Sequence, residues 1–204
     1  GQELLAAPQS ARLRGLGYYD AGSRSFYSTE RPVYTPEDLT GLKIRVQESQ
    51  TALNMVRQLG GSPTPIAWGE LYTALQQGVV DGAENNPPSF YLSKHYEIAR
   101  YFTLDEHTAV PDLLLISESV WSQLNTTQQQ WLQRAVDDSV ALQRGLWQDM
   151  TEAALANVAA AGVTIIRPDK GLFRTRVAAM KKSYEGTDIG QLIARIDAVV
   201  PDRD

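Results

Sequence analysis

The chain has 204 residues, 43% of them hydrophobic and 21% charged, which is enough for a real core in one or two domains. Its net charge of −5 gives no basic field to attract nucleic acid, so any anion must be held by a few local donors. With no cysteine and 2 histidines there is no disulfide, thiolate site or histidine-rich metal cluster, and no apolar run approaches the ~20 residues of a membrane helix.

The opening "GQELLAAPQSARLRGLG" reads as the tail of a helix running into a strand, without Met or signal peptide, as if the chain began inside a larger protein. "LRGLGYYDAGSRSFYS" reads as strand, turn and strand, with Asp20, Gly22 and Ser23 as the turn signal. In "RPVYTPEDLTG", Thr35 and Pro36 suit the cap and first position of a small helix. In "LTGLKIRVQES", Leu42, Ile44 and Val46 alternate with Lys43, Arg45 and Gln47, which predicts a strand with Arg45 on its outward face. "QTALNMVRQLGG" has helical spacing and a glycine stop, and the two prolines of "SPTPIAW" confine it to an edge strand or extended segment.

"GELYTALQQG" is a second amphipathic helix, and "VVDGAENNPP" returns the chain to the sheet and into a turn. "HYEIARYFTL" and "HTAVPDLLLIS" predict two strands. From Thr126 to Ala161 runs one helical pattern broken only by Gly145, then a strand at "GVTIIRP" and two closing helices. Strands alternating with helices argue for an α/β fold. A helix of ~50 Å is longer than a small domain is wide and is expected to span two lobes.

Five residues are candidates for a site. Arg45 ends a strand, and the carboxyl ends of strands border ligand crevices in open α/β sheets. Arg24 follows a turn, Trp68 stands between an extended segment and a helix, and Asn85 sits at the chain's return from the sheet. A guanidinium fork matches both oxygens of a carboxylate, and a carboxamide offers a donor and an acceptor at one tip. Together they suit a small polyhydroxylated acid. Each also has a plain structural reading: Arg45 and Arg24 as surface charge, Trp68 as core, Asn85 and Asn86 as a turn before Pro87 and Pro88. His107, beside Glu106, reads as a satisfied partner.

"TPEDLTGLKIRVQ", "GSPTPIAWGELYTALQQGVVDGAENN" and the long downstream helix resemble the DctP-type solute-binding proteins of TRAP transporters. The resemblance covers essentially the whole chain, matches the C-terminal two-thirds of the family pattern, and "YTALQ.GVVDG.EN" is its most specific stretch. It implies an α/β, two-lobed, type II-like periplasmic-binding-protein fold with a long lobe-spanning helix and an incomplete first lobe. Residues 1–18 and 109–150 would be the remnant of lobe I, and 19–108 with 151–204 the ligand-binding lobe II. It further implies capture of a small organic acid for TRAP permease membrane subunits, in the periplasm, by a monomer without catalysis or cofactor.

The family's carboxylate-clamping arginine matches Arg45. Its carboxamide matches Asn85, its pocket aromatic Trp68, and the second arginine of sugar-acid binders Arg24. His107 falls where some members place a polar pocket residue. Trp68 replaces the common Phe, and Glu48 stands where sugar-acid binders tend to carry an amide. "YYDAGSRSFY", "DGAENN" and "DEHT" look most like the subset that binds hexuronates such as glucuronate and galacturonate. The rival readings are an extracytoplasmic sensor domain of similar fold and a sugar-acid enzyme. The latter lacks a nucleophile elbow, metal-ligand spacing and a glycine-rich phosphate loop.

Overall fold

The computed structural model describes residues 1–198, so the last six positions of the predicted 151–204 segment lie outside the described residues. A short helix α1 (Gln2–Ala6) and a 3₁₀ turn lead into strand β1 (Leu13–Tyr19), and a tight turn at Gly22 into β2 (Ser23–Ser28). A 3₁₀ turn at Pro36–Leu39 precedes β3 (Lys43–Val46), and the Asp38 carboxylate accepts from the Tyr34 and Thr35 N–H groups. Helix α2 (Gln50–Leu59) is capped by the Ser49 hydroxyl and stopped by Gly60 at φ 102°, a left-handed conformation that favours glycine.

Strand β4 (Ser62–Pro65), helix α3 (Leu71–Gln76), strand β5 (Gly82–Asn85) and helix α4 (Pro87–Leu92) follow. Then come β6 (Tyr101–Ala109), β7 (Asp112–Ser117), the short α5 (Glu118–Trp121) and the long α6 (Thr126–Ala160). Strand β8 (Thr164–Ile166) and helices α7 (Lys170–Arg176), α8 (Ala178–Lys182) and α9 (Asp188–Asp197) complete the described chain.

Six strands form one mixed sheet in the order β4-β3-β5-β2-β6-β8, while β1 and β7 pair antiparallel as a separate ribbon. The proline-bearing β4 is at the sheet's edge, where missing N–H groups cost no ladder bond. One face of the sheet packs Tyr27, Ala83 and Phe102 against Leu71, Leu75, Phe90 and Val158, and so against α3, α4 and the end of α6. The other packs Phe26 and Ile44 against Val56 and Leu59 of α2 and Phe173 of α7.

Helix α6 joins the ribbon to the sheet. Its first half lies on β1, where a Cβ on Gly17 would come within 3.0 Å of Val136 and 3.1 Å of Val140. Its second half buries Ala154 and Val158, the latter in the sheet core. Asn125 caps it, and its 35 residues run through Gly145 without a break.

The strand, turn and strand read around Gly22 are present, with β1 in the ribbon and β2 in the sheet. Three local expectations change. His95–Glu97 is a 3₁₀ turn, and the strand after it continues past His107 to Ala109 because Glu106, at φ 50°, lets the chain bulge and resume pairing. Asn86 caps α4 through its side chain instead of forming a simple turn. Three short helices close the described chain instead of two, since the helical run divides at Val177.

Candidate functional site

The strand register brings the predicted residues to one end of the sheet. Parallel β3 and β5 place Arg45 beside Ala83, and Asn85 is two residues further along β5 on the same face. Antiparallel β2 sets Ser25 beside Asn85, so Arg24 overhangs the carboxyl end of β5. Trp68 is carried by the turn between β4 and α3.

Arg45 is buried, not outward-facing, because the end of β3 is covered on both faces. Its Nε donates to the Ile66 carbonyl at 2.8 Å, and its guanidinium lies 5.5 Å from the centroid of the Trp68 ring, which is itself 42% exposed. Its Nη1 is buried with no hydrogen-bond partner, and Arg45 forms no salt bridge among the described residues. Burial holds its pKa below the ordinary value, opposed by Tyr27 and Glu84 and aided by Arg24. Taking a charge out of water costs several kcal/mol unless something pairs with it. A buried cation with no carboxylate beside it and one nitrogen without a partner is therefore a mark of a candidate ligand site among the described residues.

Beneath Arg45 lies a group that the sequence did not reveal. The Tyr27 hydroxyl and His95 Nδ1 are 2.8 Å apart, and the His95 ring meets Trp68 edge-on at 5.1 Å. Burial, then the charge of Arg45, lower the His95 pKa to about 4, and burial raises that of Tyr27. A protonated phenol and a neutral imidazole thus share this hydrogen bond. No local pattern links residues 68 positions apart.

On the opposite face the charges are paired. Arg24 donates through Nε to Glu84 Oε2; its Nη2 donates to Glu84 Oε1 and to the Glu84 carbonyl, both at 2.8 Å, and its Nη1 to Asn85 Oδ1 at 3.0 Å. His107 Nδ1 lies 2.7 Å from Asp105 Oδ2, and its Nε2 is 3.6 Å from Glu84 Oε2, an ionic contact beyond hydrogen-bond length. Asp105 is fixed in turn by the Phe26 N–H at 3.1 Å, and His107 stacks on Phe26 with centroids 4.3 Å apart.

Burial pushes the Glu84 carboxyl up, but the proximity of His107 and the hydrogen bonds of Arg24 outweigh it and hold it below the usual carboxylate range. Burial likewise pushes His107 down, yet Asp105 and Glu84 bring it to about 9. Glu84 and Asp105 were not singled out in the sequence. The i, i+2 spacing of Asp105 and His107 on a strand was the available signal, since it puts both on one face.

Arg45 and Trp68 are thus brought together, as are Arg24 and Asn85. His107 is buried and reaches this end of the sheet only through Glu84. Glu48 is exposed just beyond β3. The Asn85 oxygen also accepts from the Asn86 N–H at 2.9 Å, leaving its Nδ2 as the group it offers outward. A cavity of about 680 Å³ beside Arg57 and Arg176, and one of about 800 Å³ between His107 and α7, do not include Arg45, Asn85 or Trp68. Volume does not mark this site; the unpaired cation does.

Residues 1–187 match the family model of the bacterial extracellular solute-binding proteins, family 7. The chain is 38% identical over 178 residues to a solute-binding protein of Chromohalobacter salexigens, covering 87% of this chain and 53% of that one. It superimposes with TM-score 0.90 and 40% identity on a TRAP periplasmic solute-binding protein of Bradyrhizobium sp. with bound galacturonate, covering 98% of this chain and 67% of that one. A second, from C. salexigens with bound D-glucuronate, gives TM-score 0.93 at 35% identity, over 97% and 67% respectively. The chain spans about half the length of the curated relatives it matches. No helix of the described residues is long and apolar enough to cross a membrane.

Proposed function

The chain belongs to family 7 of the bacterial extracellular solute-binding proteins, and from that premise we propose that it captures a small sugar acid, such as glucuronate or galacturonate, for a TRAP permease. The observation that carries this reading is the buried, unpartnered Nη1 of Arg45. A carboxylate set against that guanidinium would supply the missing partner and offset the desolvation of the charge. Trp68 would form a wall over the ligand, and the Asn85 Nδ2 and the remaining N–H of Arg24 would meet hydroxyls. His107 supports this arrangement from behind through Glu84.

Capture needs no bond to form or break, so no residue is assigned a catalytic role and no cofactor is called for. The sheet unit of residues 19–108 and 151–198 is read as the ligand-binding lobe, and the ribbon and long helix of 1–18 and 109–150 as part of the other. The working form is a monomer in the periplasm that closes on its ligand by a population shift and hands it to the membrane subunits.

The test is a thermal-shift screen of small organic acids against the full-length protein. Binding stabilises by roughly 2.7 kcal/mol when the ligand is at a hundredfold excess over its dissociation constant, so glucuronate or galacturonate should raise the melting temperature clearly. A screen in which no acid shifts the melting curve, or in which the pure protein turns glucuronate over, would overturn the reading.

A further inference from the structure

The charges of the chain are unevenly spread. Residues 167–182 hold six of the 19 lysines and arginines and one of the 24 acidic residues. That is a net +5, which leaves −10 on the remainder of a chain whose total is −5. The segment follows β8 and forms α7 and α8, and Phe173 anchors it on Val56 and Leu59 of α2.

Where α2 meets α8 the surface opens into a cleft of about 680 Å³, lined by Asn54, Arg57 and Gln58 on one side and Arg176, Met180 and Ser183 on the other. No carboxylate lines it. Its charged groups and the Asn54 amide are left as donors. Arg176 Nε donates to the Gln58 carbonyl at 3.2 Å, which holds the guanidinium at the end of α2 and leaves both Nη groups. Arg57 gives one N–H, from Nη1, to Asn54 Oδ1 at 3.4 Å. That oxygen also accepts from Gln50 Nε2 at 2.9 Å, so Nδ2 is what Asn54 has to offer.

Capping of α2 explains only part of this. The last carbonyls of a helix carry about half a negative charge, which two guanidiniums exceed. Each arginine has given one of its five N–H groups and keeps four. The salt bridge of Arg176, to Glu37 at 3.9 Å, joins two mostly exposed side chains, and such pairs contribute little.

We propose that this cleft binds a phosphate group, free or carried by a lipid headgroup. A tetrahedral phosphate brings more oxygens and more charge than a carboxylate, and a guanidinium meets it with two parallel N–H groups. Forks from two elements, Arg57 on α2 and Arg176 on α7, can each take a pair of its oxygens. The negative charge elsewhere on the chain is screened beyond about 8 Å at physiological ionic strength.

The cleft stands apart from the sugar-acid site. Because β3 and β4 are parallel, α2 runs back from Ser49, after the carboxyl end of β3, to the amino end, where the Ser62 N–H donates to the Leu42 carbonyl at 2.8 Å. Arg57 lies in that last turn.

The experiment is calorimetric titration of the full-length protein with inorganic phosphate at neutral pH, chloride holding the ionic strength constant. Arg57→Gln with Arg176→Gln removes both forks. Arg174→Gln with Lys182→Gln removes the same charge nearby but outside the cleft. All four side chains are exposed, so melting curves should show intact folds. The first pair should weaken phosphate binding at least tenfold and the second less than threefold. Sedimentation with phosphatidylglycerol vesicles separates the sources. Capture that falls at least fivefold in the first pair would place a lipid phosphate in the cleft, and phosphate binding without capture would place the free ion there. Wild type that binds neither phosphate nor vesicles would overturn the site. So would a first pair that binds as well as wild type, or a second pair that loses as much as the first, since diffuse charge would then hold the anion.

Discussion

The two faces of the sheet at its carboxyl end treat buried charge in opposite ways. On one face Arg45 stands over Tyr27 and His95 with a buried nitrogen left unpartnered. On the other, Arg24, Glu84, Asp105 and His107 each have an opposite charge beside them, and the one nitrogen there without a hydrogen-bond partner, His107 Nε2, lies 3.6 Å from Glu84. The sheet is one structure with one strand order, so the difference lies in the side chains, not in the architecture. It separates charges that hold the protein together from a charge that is kept for something else. Paired charges fix geometry, whereas an unpaired one carries a desolvation cost that the ligand carboxylate of the proposed function would offset.

The largest effect should come from opening the paired face. Glu84→Ala leaves Arg24 and His107 buried without their common carboxylate, and loss of one partner of a buried set costs about 3–5 kcal/mol. Urea unfolding of the variant should show a midpoint shift of that size with an unchanged slope. A loss under about 1 kcal/mol would mean that water, not Glu84, already satisfies Arg24.

The unpaired face should answer differently. Arg45→Lys keeps the charge but not the two-point contact, and it should weaken sugar-acid binding by about 2–5 kcal/mol in calorimetry. Arg45→Met removes a buried charge that has no partner, so the free protein should be at least as stable as wild type while binding is abolished. If Arg45→Lys binds within a factor of two of wild type, Arg45 is not the clamp. If Arg45→Met destabilises the fold like Glu84→Ala, the two faces are not different in kind.

How much of this contrast could be read from the sequence depended on distance along the chain. Helices α2 and α6 and the edge position of β4 rest on residues close together or on strong periodicity, and all were legible, whereas Arg45 and Trp68 were legible only as separate candidates. The pairing of β1 with β7 was not legible from local pattern, because the partners lie nearly a hundred residues apart, and only the lobe bounds implied by the resemblance set β1 and β2 apart. Burial of Arg45 was missed for a related reason: strand alternation tells which face a side chain takes, not whether helices cover that face. The neutralisation of Arg24 needed Glu84 from another strand and His107 from beyond a bulge at Glu106, a non-glycine residue in a left-handed conformation that no local pattern announces.

The two histidines lie one on each face and sharpen the comparison as pH varies. His107, facing Asp105 and Glu84, keeps its proton to about pH 9 when folded and loses it near 6.5 when unfolded. Its stabilisation is therefore complete below 6.5 and is lost as pH rises through 9. His95, facing Tyr27 and Arg45, stays neutral to about pH 4 when folded, so the unfolded chain gains a proton first as pH falls below 6.5. Its contribution is complete above 6.5 and is lost on the way to 4. Stability should peak near pH 6.5 and decline on both sides by at most ~1.4 kcal/mol per pH unit per histidine. Urea midpoints across this range check it: His107→Gln should flatten the alkaline limb and His95→Gln the acid limb. A limb unchanged by its variant would belong to other groups.

The smallest expected effect is none at all. Between about pH 5 and 8 neither histidine changes charge in the folded protein, since one titrates near 4 and the other near 9. A sugar-acid carboxyl ionises well below this window and arginine keeps its proton throughout it. The clamp, its supports and the ligand thus stay in single charge states while the stability of the fold passes through its maximum. Affinity for glucuronate, measured by calorimetry at constant ionic strength, should hold within about a factor of two over the same pH range in which the urea midpoint moves. A tenfold change would show that a titrating histidine, and not Arg45, governs recognition. A flat affinity beside a curved stability would show instead that the paired face and the unpaired face do separate work.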